Sequence, residues 1–275
     1  MYLRFKDGKD KALTLSYDDG PVFDKQLIEI MDKYGLKGTF NINTGLYYPE
    51  NKKREKYDGR MKLSEAKELY INSGHEVAVH ALNHPFFEEL DYSEVIYEIM
   101  EDRKNIERDY KTVARGMAYP FGTYSASTVD ILKMCGIEYS RTTKSSHNFK
   151  LPENWLLLNP TCHHNDPDLM ELAKNFAENK ASWGVPRMFF LWGHSFEFAR
   201  RDNWNIIEDF ARYIGGRNDI WYATNIEIYD YVQAYKSLKT SCDKKIIYNP
   251  SAMDVWVYTN NETIKIKSGE TFYCK

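Results

Sequence analysis

The chain has 275 residues, 43% apolar and 28% charged, enough to bury one large core and in the range of a soluble globular protein. A formal net charge of −3 and a pI near 6.2 give no basic field for phosphate backbones, so nucleic acid is not expected as a partner. No window approaches membrane-spanning length, so no membrane association is expected.

The amino terminus, Met1 to Lys11, has charges throughout and no apolar h-region. Cys135, Cys162, Cys242 and Cys274 are scattered without a Cys-x-x-Cys pair, which points to free thiols rather than a zinc knuckle or redox motif. Both features read as cytoplasmic, with secretion open if a leader has been trimmed. The aromatic share of 15% suits stacking on sugar rings, but core packing uses the same residues.

The first predicted strand, from Lys11, runs through Leu13-Thr-Leu-Ser-Tyr into Asp18-Asp19-Gly20-Pro21, so it delivers two carboxylates to its own C-terminal tip. Adjacent acids repel and lose hydration unless a cation holds them, which invites a metal or acid–base role, although an Asp-Asp-Gly taken alone is more often a plain acidic turn that caps the following helix. A helix follows through Leu27, Ile28, Ile30, Met31 and Tyr34 to a stop at Gly35, then a strand at Gly38–Ile42. Residues 44–62 read as a polar loop, and Ser64 as the N-cap of a helix to about Asn72. A third strand, Glu76–Val79, is tipped by His80-Ala81-Leu82-Asn83-His84-Pro85.

The alternation continues with a helix over 92–110, a strand Gly116–Tyr119 running into Pro120-Phe121-Gly122, and a helix from Ser125 to Met134. Strands are expected at Ile137–Ser140, followed by Arg141, and at Trp155–Leu158, which leads to His163-His164. A helix from about Pro167 to Lys180 precedes the apolar run Arg187–Trp192, tipped by Gly193-His194-Ser195. A helix near 203–214, a strand Ile220–Ala223 and a helix from Asn225 to about Lys239 complete the set. This is the pattern of an α/β protein, a deformed (β/α) barrel of about seven parallel strands. From Lys244 the period changes to two, so residues 1–240 read as the catalytic barrel and 241–275 as a small C-terminal β appendage.

Asp18, Asp19, His80, His84 and His194 all follow predicted strands, which in a parallel barrel places them on one face. Two imidazoles four residues apart plus a carboxylate make a three-ligand metal site with open positions, the catalytic rather than the structural arrangement. Taken singly, each histidine is more often a structural residue than a ligand. The convergence of five such residues on strand tips favours chemistry.

These residues carry a resemblance. Ser16-Tyr-Asp-Asp-Gly-Pro21 resembles the first motif of the polysaccharide deacetylases, the NodB-homology domain of carbohydrate esterase family four. Gly74 to Pro85 resembles the second motif, and Phe190-Leu-Trp-Gly-His194 the Leu-x-His motif. The resemblance implies a metal-dependent hydrolase that removes N- or O-linked acetyl groups from a carbohydrate, with metal-bound water as nucleophile. It implies Asp19, His80 and His84 as ligands of one divalent ion, Zn²⁺ first and Co²⁺, Ni²⁺ or Mn²⁺ as alternatives. By the same resemblance Asp18 is the general base and His194 the general acid, with Phe121, Tyr119 and Trp192 as oxyanion- or substrate-contacting positions.

Three departures stand out. Ala81 replaces the Ser or Thr that braces the histidine loop, Ala118 replaces the third-motif arginine, and the fourth motif is not recognisable. Arg141 or Arg115 is expected to orient Asp18 instead, and Glu197 to orient His194. Two alternatives follow from the altered motifs: a non-catalytic carbohydrate-binding protein on the same barrel, and a metal-independent amidase acting on a non-sugar C–N bond.

Overall fold

The computed structural model describes residues 1–53, 59–179 and 184–274. Part of the expected polar loop, residues 54–58, and the expected helix end at Lys180 lie outside the described residues.

The chain opens with β1 (Tyr2–Arg4) and then enters the sheet through β2 (Lys11–Asp18), which is buried on both faces along its whole length. Such a strand needs a continuous apolar run rather than alternation, and Ala12-Leu-Thr-Leu supplies it. There follow α1 (Asp24–Lys33), β3 (Gly38–Ile42), α2 (Leu63–Tyr70), β4 (Glu76–Val79), α3 (Tyr92–Tyr110), β5 (Gly116–Ala118), α4 (Ala126–Met134) and β6 (Tyr139–Arg141). The second half adds β7 (Cys162–His163), α5 (Leu169–Glu178), β8 (Arg187–Gly193), α6 (Ser195–Arg201), α7 (Asn205–Ile214), β9 (Ile220–Tyr222) and α8 (Asn225–Ser237). Helix starts are set by side chains that satisfy free N–H groups: Asp91 caps α3, Ser125 caps α4 and Thr224 caps α8.

The strands pair in parallel in the order β6-β5-β4-β3-β2-β8-β7, and β9 pairs with Lys11–Leu13 of β2. The sheet curls so that the segment leading into β7 bridges β6 at one end and β8 beside the other. Leu158 N donates to Ser140 O on β6 at 3.0 Å, and Thr161 N donates to Phe190 O on β8 at 2.8 Å. The result is the deformed (β/α) barrel, with Leu13, Leu15, Phe189 and Leu191 among the residues of its principal core.

Two expectations are corrected. The apolar run Trp155–Leu157 is a 3₁₀ turn rather than a strand, because the Asn154 side chain accepts the Leu156 N–H at 3.0 Å and diverts it from a ladder. Only Leu158 reaches the sheet, opposite Arg141. The segment expected to lead into a helix near 203 already contains α6, which begins directly after His194.

The carboxyl end carries β10 (Lys239–Thr240), β11 (Ile246–Tyr248), β12 (Val255–Thr259), β13 (Glu262–Ile266) and β14 (Thr271–Tyr273). They form two antiparallel sheets, β10-β11-β14 and β1-β12-β13, so the amino-terminal strand belongs to the second of them. Ile247, Val255, Val257 and Ile266 point inward together, as period-two alternation requires. The Tyr231 hydroxyl on α8 ties both termini to the barrel, donating to Arg4 O and accepting from Trp256 N, each at 2.9 Å.

Candidate active site

Because all the strands of the barrel run the same way, the tips of β2, β4, β6 and β8 converge. Asp18, the last residue of β2, is buried at 2% exposure, in register with Asn41 on β3. Asn41 Nδ2 donates to Asp18 Oδ1 at 2.8 Å, and the fully buried Arg141 guanidinium forms a short ion pair with Asp18 Oδ2. Arg141 in turn lies 4.4 Å over the Trp192 ring. Burial alone would raise the Asp18 pKa, but Arg141, His80 and His194 outweigh it and hold the carboxyl below its ordinary value. Arg115 is not beside Asp18: its guanidinium is engaged by Asp230 at 2.6 and 2.8 Å and by Glu138 at 2.5 Å.

Asp19, His80 and His84 form a second group in which one ligand atom from each lies within 4.8 Å of the others. The backbone is bent to achieve this, since Asp19, Ala81 and His84 adopt positive φ of 79°, 62° and 56°. Such conformations cost on the order of 1–3 kcal/mol each and gather at functional sites. His80 Nδ1 lies 2.8 Å from Ala118 O, a bond in which the ring nitrogen must donate, so the lone pair resides on Nε2. That Nε2 is buried and has no hydrogen-bond partner among the described residues. Burial pushes the His80 pKa down to about 4 and lowers that of His84, so both rings are kept in the unprotonated form that binds metals. An orphaned, buried acceptor beside a second imidazole and a carboxylate fits a divalent cation.

His194 follows β8, and its Nε2 lies 3.9 Å from Asp18 Oδ2. Its Nδ1 is 2.8 Å from Glu197 Oε1, one turn along α6. Burial lowers the His194 pKa, but Glu197, Asp18 and Asp19 overcome it, and the net shift is upward. Glu197 is a crowded acceptor: His163 Nε2 at 3.2 Å, Asn165 Nδ2 at 2.8 Å and Arg201 Nη2 at 3.4 Å also reach it. Burial raises its pKa, yet the bonds from His163 and His194 prevail and keep it ionised. His163, His164 and Glu197 also lie within metal-ligand reach of one another. The donors filling the carboxylate, one of them a guanidinium, oppose a cation there. His164 is fully buried against Tyr17 and Phe198, and burial pushes it down to about 2. Gly193 is required beside it, because a Cβ there would lie 2.0 Å from His164 Nδ1.

Phe121 is half exposed at positive φ of 57°, with its ring 4.4 Å from that of His84. Trp192 is buried next to Arg141, with its ring 5.8 Å from that of His194. Tyr119, expected among the oxyanion- or substrate-contacting positions, has its ring buried and its hydroxyl donating to Leu156 O at 2.9 Å. Two site residues escaped the sequence reading. Asn41 had a signal, an amide set between Phe40 and Ile42 within an expected strand. Arg60, which donates to the Asp19 carbonyl and lies 3.3 Å from its carboxylate, sits in a polar loop with nothing to single it out.

Residues 5–140 match the family model described as polysaccharide deacetylase. No curated protein matches the chain. Among solved structures, a Mycobacterium smegmatis protein assigned to the polysaccharide deacetylases superposes with a TM-score of 0.60 at 16% identity, over 86% of this chain and 95% of that one. A family 4 acetyl xylan esterase from Clostridium thermocellum, in complex with a cobalt ion, gives 0.50 at 14% identity, over 79% and 90%. A Streptococcus pyogenes deacetylase in complex with acetate gives 0.42 at 23% identity, over 47% of this chain and 55% of that one.

Proposed function

We propose that this chain, which belongs to the polysaccharide deacetylase family, is a metal-dependent hydrolase that removes acetyl groups from a carbohydrate. The observation that carries the metal reading is the buried His80 Nε2, without a hydrogen-bond partner among the described residues, in a residue grouped with His84 and Asp19 so that one ligand atom of each lies within 4.8 Å of the others. The cobalt-bound acetyl xylan esterase of the same fold supports a divalent ion, and the nitrogen and carboxylate donors favour Zn²⁺.

Asp19, His80 and His84 would hold the ion, which when bound polarises the acyl oxygen and acidifies a water. Asp18 then acts as the base. Arg141 and Asn41 keep it ionised and aim it, so it can take the proton of the attacking water. His194, whose Nε2 lies 3.9 Å from Asp18 Oδ2, carries the proton for the departing amine or alkoxide, and Glu197 holds its Nδ1 so that Nε2 faces the reaction centre. The Phe121 backbone N–H, presented by a left-handed turn, would donate to the oxyanion, a task that needs geometry rather than a particular side chain.

N-acetyl and O-acetyl substrates pass through the same tetrahedral intermediate, so this machinery serves either. Acetate release from an N-acetylated oligosaccharide and from an acetylated xylan, assayed with divalent metal and after chelation, tests the reading. Hydrolysis of one class that disappears on chelation is the expected result. Chelation that leaves turnover unchanged would refute metal dependence, and no acetate release from any acetylated glycan would favour the non-catalytic carbohydrate-binding alternative.

A further inference from the structure

At Ala81 the loop carrying His80 and His84 lacks a side-chain brace. Ala81 has no hydrogen-bonding side chain, and Ala81 and His84 both hold positive φ, which non-glycine residues keep only where their surroundings over-determine them. Those surroundings come from α3. Asp102, fully buried, accepts the His80 backbone N–H on Oδ2 at 2.9 Å, and the Thr44 N–H and O–H on Oδ1 at 2.8 and 2.7 Å. One turn earlier Glu98 accepts the Asn83 backbone N–H and the Asn83 side-chain amide, both at 2.7 Å, while its carbonyl accepts the Leu82 N–H at 3.0 Å.

The loop is gripped from its other side as well. Asn43 Nδ2 donates to the carbonyls of His80 and Ala81 at 2.6 and 2.9 Å, and Gly45 N donates to Leu82 O at 2.9 Å. A Cβ on Gly45 would stand 2.6 Å from that same oxygen, so the approach is as close as a backbone allows.

We infer that Glu98 and Asp102 are positioning residues that set the affinity of the His80–His84 loop for its cation, a helix-borne substitute for the side-chain brace that Ala81 lacks. The inference rests on the reading of Asp19, His80 and His84 as ligands. Hydrogen-bond chemistry separates the two carboxylates. Asp102 meets backbone N–H groups on both oxygens, so an asparagine there turns an NH₂ against one of them whichever way its amide lies. Glutamine at Glu98 can keep both bonds, because the Asn83 amide can turn over with it.

The test is calorimetric titration of the chelator-treated full chain with Zn²⁺ and with Co²⁺, alongside the visible spectrum of the Co²⁺ form and a circular-dichroism melt of the apo chain. Asp102→Asn and Glu98→Ala should weaken the metal Kd by roughly 10-fold or more, the usual cost of losing support behind ligands, whereas Glu98→Gln stays within about threefold of wild type. The Co²⁺ band should shift in Asp102→Asn and not in Glu98→Gln. Wild-type affinity and an unshifted band in folded Asp102→Asn and Glu98→Ala would overturn the inference, as would equal losses in Glu98→Gln and Glu98→Ala. Should Asp102→Asn fail to fold, the contrast between the two Glu98 variants decides alone. A wild-type chain that binds neither ion overturns the ligand reading itself, and that result is distinguishable from binding that the variants leave unchanged.

Discussion

Replacing Arg141 by Met tests the electrostatics at the centre of the site. The change keeps an unbranched side chain of similar reach over Trp192 but removes the only fixed positive charge, among the described residues, in contact with a carboxylate that is 2% exposed. Asp18 would retain the Asn41 amide at 2.8 Å, with His80 and His194 at 4.0 and 3.9 Å, and burial keeps His80 neutral at a pKa of about 4. At an effective dielectric near 20, unit charges about 4 Å apart interact by roughly 4 kcal/mol. Breaking one side of a buried pair generally costs about 3–5 kcal/mol, so a loss of that size is expected in urea unfolding at pH 7.

The sign of the pH dependence follows from the shift. In the wild type the depressed Asp18 pKa contributes stability that is full above the ordinary carboxylate value of 3.8 and is lost as pH falls through the folded value. Without Arg141, burial dominates, the folded pKa rises above 3.8, and the penalty for the charged form disappears as the carboxyl protonates. The stability gap between variant and wild type should therefore be widest at neutral pH and shrink on acidification. The acid limb of kcat/KM should move to higher pH in parallel. A gap below about 1 kcal/mol at pH 7, within the range of an exposed pair, or one that widens towards acid, would refute the reasoning.

His80→Ala or His84→Ala should strip the divalent ion and abolish hydrolysis; elemental analysis showing unchanged metal content in either variant would sink the ligand assignment. Glu197→Gln removes the charge that keeps the His194 pKa above its ordinary value. Since His194 must be protonated to act as the acid, activity falls as pH rises through its pKa, and the variant's alkaline limb should appear at lower pH; an unmoved limb would show that Glu197 does not tune His194. His194→Ala should slow an amide substrate by a factor on the order of 100 or more while sparing an activated aryl acetate, whose leaving group hardly needs a proton. Equal losses on both substrates would reassign His194.

The parallel barrel was legible because its alternation depends on local signals, apolar runs followed by amphipathic helices with caps. What escaped depends on partners far away in sequence. Trp155–Leu157 has the composition of a strand, and only the Asn154 side chain, competing for the Leu156 N–H, turns it into a 3₁₀ turn. Tyr2–Arg4 is too short to announce itself, and it is a strand because β12, more than 250 positions later, offers it a ladder.

The same distinction runs through the site. Asp18, Asp19, His80, His84 and His194 could be gathered from sequence because each lies at or within five residues of the end of a strand, and parallel strands end on one face. The cation beside Asp18 could not be chosen between Arg115 and Arg141, because the choice depends on register, and a one-residue slip turns a side chain to the opposite face. In the structure Ala118 on β5 is the lateral partner of Arg141 on β6. The arginine missing from the third motif thus has its counterpart one strand over, at the same height in the sheet, with its guanidinium on the Asp18 carboxylate. Arg115 lies before β5 begins and reaches Glu138 and Asp230 instead. A long side chain on a neighbouring strand can supply the charge an alanine has given up, so the altered motif is compatible with an ionised, oriented base. An altered third motif is therefore no argument for a lost activity.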